Sequence, residues 1–110
     1  MNFYIGNSVN EVNVQDFNIE FSDELLDYIY KIHGEAHIDM SKLFQIQPYE
    51  DMEISKDDLP LIANICIYIL ENSMLKKYDE PDEGQKMVKD LFDIIQKAQA
   101  KGKGIVSIGD

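Results

Sequence analysis

The chain has 110 residues, 45% hydrophobic and 28% charged, a composition that suits one globular domain spanning residues 1–110 and excludes a disordered chain. Its formal net charge is −11, from 21 acidic residues against 10 basic ones, every one of them a lysine. Phosphates would be repelled, which excludes nucleic acid and anionic membrane surfaces as partners, and without arginine there is no planar two-pronged group for phosphate.

From the amino terminus, Phe3, Tyr4 and Ile5 ahead of Gly6, Asn7 and Ser8 predict a short strand entering a turn. Val12 and Val14, then Phe17, Ile19 and Phe21, alternate with polar residues and predict one or two further extended pieces. Ser22 is suited to cap a helix whose first turn holds Asp23 and Glu24; Leu25, Leu26, Ile29 and Ile32 then recur at helical spacing until Gly34. Asp39 can cap a short helical turn carrying Met40, Leu43 and Phe44. Pro48 ends that turn, and residues 49–53 are expected to form a surface loop.

The apolar run over residues 59–70, interrupted only by Pro60 and Asn64, is the organising stretch. A membrane span needs about 20 apolar residues, so this run is expected to be a soluble helix, about residues 56–77, buried at the centre of the fold. Ser55 with Asp58 resembles a capping box, and Ile54 with Leu59 a hydrophobic staple. A cap at Asp57 or Asp58 instead places Pro60 within the first turn, where it is tolerated. After a connector over residues 78–84, Pro81 opens a helix with Met87, Val88, Leu91, Ile94, Ile95 and Ala98 on one stripe. Gly102 and Gly104 stop it, and residues 105–108 predict a last strand. The expected fold is α+β: a small sheet formed by N- and C-terminal strands, covered by three or four helices around the buried central helix.

Catalysis finds little support. Cys66 lies alone in the apolar run, where it reads as a small buried hydrophobe, and a single thiol with no disulfide suits a reducing compartment. With no basic region and long apolar run at the amino terminus, a cytoplasmic location is expected. His33, Glu35 and His37 have the spacing of a metal site and offer a metal-dependent hydrolase as an alternative. Gly34, however, stands where the zinc-protease pattern needs glutamate, and no third ligand is evident. Asp79, Glu83, Gly84 and Asp90 overlay four calcium-loop positions, but Pro81 falls where an oxygen ligand is required. We therefore expect no catalytic residue, no metal and no cofactor.

The carboxylates gather in three groups: Glu20, Asp23, Glu24 and Asp27; Glu50, Asp51, Glu53, Asp57 and Asp58; and Asp79, Glu80, Asp82 and Glu83. Each lies at or near a predicted helix start, where one or two acids complement the helix dipole. Groups this large incur mutual repulsion that a basic partner would relieve. Tyr49 and Tyr78 stand beside two of them, and an aromatic next to charge is a common interface composition. The candidate partner-binding residues are Tyr49, Glu50, Asp51, Glu53, Asp79, Glu80, Asp82 and Glu83.

Three stretches carry a resemblance to a known family: the opening Asn2-Phe3-Tyr4-Ile5-Gly6-Asn7-Ser8, the Ile54-Ser55-Lys56-Asp57-Asp58-Leu59-Pro60 entry into the apolar helix, and the ending Gly104-Ile105-Val106-Ser107-Ile108-Gly109-Asp110. In these the chain resembles the small acidic immunity proteins of bacterial polymorphic toxin and contact-dependent growth inhibition systems. That resemblance implies a non-catalytic protein that blocks the active site of a cognate toxin domain, often a basic nuclease. The alternative from another class is an adaptor or regulatory subunit.

Overall fold

The computed structural model describes residues 1–109. Strands β1 (Asn2–Ile5), β2 (Asn18–Glu20), β3 (Met52–Ile54) and β4 (Ile105–Ile108) form one antiparallel sheet in the order β2-β1-β4-β3. The terminal strands are its two central members, so the α+β expectation, with a sheet built from both chain ends, holds. Helices α1 (Asp23–Ile32), α2 (Ser41–Phe44), α3 (Leu59–Glu71) and α4 (Pro81–Ala100) complete the fold.

Register explains which face of the sheet is apolar. Phe3 is opposite both Ile19 and Ser107, and Ile105 is opposite both Ile5 and Ile54, so these residues share one face. α4 packs on β1 and β2 at that face and against α3, and α2 packs on α3. Val88, Leu91, Ile94, Ile95 and Ala98 are the buried stripe of α4, as their spacing predicts. α1 adds Leu25, Leu26 and Ile29, entering after Ser22, whose Oγ accepts from the Leu25 N–H at 3.1 Å.

The other face carries Tyr4, Val106 and Glu53, which lie opposite one another in the register. A Glu53 carboxylate oxygen accepts from the Val9 N–H at 2.8 Å, which draws the 3-10 turn Val9–Glu11 across this side. Asn7 Oδ1 accepts from the Gly104 N–H at 2.9 Å, and Lys103 pairs with Glu11, so the segment is tied down at both ends. The extended piece expected at Val12 and Val14 is therefore not a strand. Asn13 and Asp16 hold the backbone N–H groups of Gln15 and Asn13, an arrangement that competes with a sheet ladder. Val12 instead lies against Gly6, where a Cβ would come within 2.9 Å of its Cγ1.

Two further boundaries differ from expectation. The segment read as a surface loop over residues 49–53 contains most of β3, held by pairing to β4. The central helix spans Leu59–Glu71, shorter at both ends than 56–77, with Asp58 as its cap and Pro60 in the first turn. Ser55 Oγ accepts from the Asp57 N–H at 3.2 Å, one turn ahead of the helix. Nor is α3 buried all round. Leu59, Ile62, Ala63, Ile65, Cys66 and Ile69 are inside, whereas Leu61 is 49% and Ile67 36% exposed.

Candidate functional site

The acidic groups do not stay together as the sequence orders them. Met1 O accepts from the Phe21 N–H at 3.0 Å, Asn2 faces Ile108, and the Asp51 carboxylate accepts from the Gly109 N–H at 3.1 Å. The start of α1, Met1, Gly109 and the start of β3 thus meet at one end of the sheet. Tyr49, 70% exposed, donates its hydroxyl to Asp23 Oδ2 at 2.8 Å and links residues 49–51 to α1.

The start of α4 arrives at the same end. Tyr78 packs its ring on Tyr28 at 5.0 Å between centroids, and Gly84 lies directly beneath it. A Cβ on Gly84 would stand 3.0 Å from Tyr78 Cδ2, so this glycine serves ring packing on the helix. Burial raises the Tyr78 phenol, the charges of Glu24, Asp79 and Glu80 raise it further, and a hydrogen bond with Ser22 opposes them. The Glu80 carboxyl is held above its ordinary value chiefly by its hydrogen bond with Glu83 and by the charge of Glu83. Slight desolvation and the charges of Asp79 and Glu24 add to this. Carboxylates from the starts of two helices therefore converge: Glu24 from α1, and Asp79, Glu80 and Glu83 from α4.

Of the candidate residues, Asp79, Glu80 and Glu83 stand together, with Asp82 exposed beside them in the first turn of α4. Tyr49, Glu50 and Asp51 reach the same end through Asp23. Glu53 does not: its carboxylate is turned to the Val9 turn near the opposite end of the sheet. Asp58 is likewise remote and pairs with Lys42 at 3.3 Å. Glu24 was legible as a member of an acidic group, but its meeting with Glu80 depends on how α1 and α4 dock.

The other sequence candidates resolve into packing. His33 stacks on Tyr30 at 4.9 Å and meets Phe44 edge-on at 5.3 Å, its Nδ1 against the Tyr30 carbonyl. His37 and Glu35 instead line a separate fissure of about 380 Å³ with Tyr28 and Tyr68. Among the described residues no three His, Cys, Asp or Glu side chains come together as metal ligands. Gly84 and Asp90 lie within α4, where Asp90 pairs with Lys86 at 2.7 Å, so no calcium loop exists there. Burial pushes the Cys66 thiol up to about 12, far from a reactive thiolate.

The aromatic pairing of Tyr30 with Phe44, centroids 5.1 Å apart at 84°, was missed. Its signal was present: Tyr30 falls off the Leu25, Leu26, Ile29 stripe, on the polar side of α1 with Asp23 and Asp27. None of the described helices is long and apolar enough to cross a membrane. Compared with known protein families, curated proteins and solved structures, the chain matches none.

Proposed function

We propose that this chain is a non-catalytic binding protein of the immunity type, which neutralises a cognate toxin by occupying a basic active-site cleft. The observation that carries the reading is the docking of two acidic helix starts through Tyr28 and Tyr78, rings 5.0 Å apart, which gathers Glu24, Asp79, Glu80 and Glu83. The Glu80 carboxyl is held up first by its hydrogen bond with Glu83 and then by the surrounding charges. One or two acids would satisfy each helix dipole. The excess repulsion is relieved when lysine or arginine side chains of a partner enter between them, giving association that is fast and weakened by salt. Asp79, Glu80, Asp82 and Glu83 form the first contact, with Tyr49, Glu50 and Asp51 as a second strip across Asp23. Glu53 stays structural through Val9.

Co-expression with the product of the adjacent upstream gene tests this. Rescue of growth from a toxic product supports the reading, and a stable complex with a harmless product assigns the protein to the adaptor class instead. Within a neutralising pair, Glu80→Gln with Glu83→Gln should weaken binding at low salt and flatten its salt dependence. If affinity and salt dependence stay unchanged, the toxin meets another face.

A further inference from the structure

Alongside the carboxylates runs a groove that charge alone does not explain. It lies between α1 and the segment after α2, holds about 240 Å³, and is floored by Leu26, Phe44 and Pro48. Asp23, Asp27 and Tyr30 form its wall. These three recur four and three residues apart on α1 and so lie along one face, the two carboxylates about 5–6 Å apart at Cβ. Tyr30 is 55% exposed although its ring is braced by Phe44, and Tyr49 stands at the Asp23 end. An apolar floor bordered by two carboxylates, with exposed aromatic rings and no cation in its lining, has a defined chemical complement.

We propose that this groove docks an arginine-bearing extended segment of a partner protein. The arginine stem lies on Phe44 and Pro48, its guanidinium bridges Asp23 and Asp27, and its plane packs on the part of the Tyr30 ring that His33, stacked on it at 4.9 Å, leaves exposed. A neighbouring apolar side chain fills the remainder of the floor over Leu26. The existing contacts leave this open. Lys31 holds Asp27 at 2.9 Å, but both side chains are more than half exposed, and such a pair exchanges at little cost. Asp23 accepts from the Tyr49 hydroxyl at Oδ2 and from the Glu24 N–H at Oδ1, one bond on each oxygen, and a carboxylate has about four acceptor sites. An aliphatic helix would fill the floor but leave the carboxylates facing apolar surface, and a polyanion would be repelled.

The inference deepens the binding-protein reading and rests on it, but its test needs no toxin. The probe is a capped hexapeptide of alternating arginine and leucine, titrated into the isotope-labelled protein and followed by amide chemical shifts. A dissociation constant of roughly 0.1–1 mM is expected for so short a ligand, with shifts centred on Tyr30, Phe44 and the residues around Pro48. Replacing arginine by citrulline, its uncharged isostere, should weaken binding about tenfold. The double variant Asp23→Asn with Asp27→Asn should do the same, and Tyr30→Ala or a leucine-to-serine peptide should weaken it severalfold. These residues are partly or largely exposed, so the variants remain folded, as the unchanged spectrum of the core will report. Shifts centred on Glu80 and Glu83, or equal binding of the serine peptide, would show diffuse charge attraction and overturn the groove. No shifts at all would overturn it too. Either failure leaves the growth-rescue test untouched.

Discussion

Ser107 is the polar side chain that the core encloses without a hydrogen bond: it is fully buried, and its Oγ has no partner among the described residues. It sits on β4 opposite Phe3 and Met52, on the face that α4 covers. Leaving a buried hydroxyl unsatisfied costs about 1–3 kcal/mol. Ser107→Ala removes that cost with little change in volume, so it should raise the unfolding free energy by about 1 kcal/mol in urea titrations with an unchanged slope. A fall in stability would mean that the hydroxyl makes a bond in solution. Cys66 shows the opposite match of residue and site. Its thiol is 1% exposed and pushed up to about 12, so in the native protein at pH 8 it should resist alkylation. Labelling should proceed only at the rate of opening and accelerate in urea, and prompt native labelling would place the thiol at the surface. Cys66→Ser, which buries a hydroxyl there, should cost about 1–3 kcal/mol.

Two helices end in the same geometry with different residues, and the contrast shows what the sequence could reveal. At the end of α4 the Lys103 N–H reaches the Ala98 carbonyl and the Gly102 N–H the Gln99 carbonyl, with Gly102 at φ +66°. At the end of α3 the Met74 N–H reaches the Ile69 carbonyl and the Ser73 N–H the Leu70 carbonyl, with Ser73 at φ 51°. Both are Schellman closures, but only one carries the glycine that announces it. The α4 boundaries were therefore legible from Pro81 and Gly102. The end of α3 was not, because serine holds the left-handed position and the buried Leu75 prolongs the apolar pattern beyond it. Ser73→Gly should relieve part of a left-handed strain of about 1–2 kcal/mol, less the entropy glycine adds to the unfolded chain. A gain of up to about 1 kcal/mol is expected, and a loss would show that Ser73 makes a contact outweighing its strain. β3 was hidden for a different reason. Met52–Ile54 buries only Ile54, and its strand character comes from β4, a partner more than fifty residues away in the chain. The candidate site follows the same rule: the acids were visible in sequence, whereas the approach of Glu24 to Glu80 and of Tyr30 to Phe44 exists only after helices dock.

Across the molecule, charge follows the direction of α4. Its start carries Asp82 and Glu83 beside Asp79 and Glu80, and beyond its middle come Lys97, Lys101 and Lys103, with Lys97 over the Phe17 ring at 4.3 Å. The two ends should respond to acid in opposite senses. The Glu80 carboxyl is raised above 4.5 in the folded chain, so between its folded value and 4.5 the folded state binds more protons than the unfolded. Its contribution is therefore fully present below 4.5 and is lost as pH rises through the folded value. Lowering the pH from 7 should first stabilise the protein. Glu11 is lowered from 4.5 by its bond to Lys103, and Asp39 from 3.8 by its bonds to Ser41. Their contributions are present above those ordinary values and vanish as pH falls through the lowered ones. Stability should thus pass through a maximum in mildly acidic solution. Urea midpoints measured from pH 7 to pH 3 read this directly, and two variants separate the causes. Glu80→Gln should be more stable than the parent at pH 7, with the difference closing near and below 4.5, while Glu11→Gln should flatten the acid limb. A Glu80→Gln curve parallel to the parent at every pH would mean that Glu80 and Glu83 do not meet in solution, and the partner-binding reading would lose the contact on which it stands.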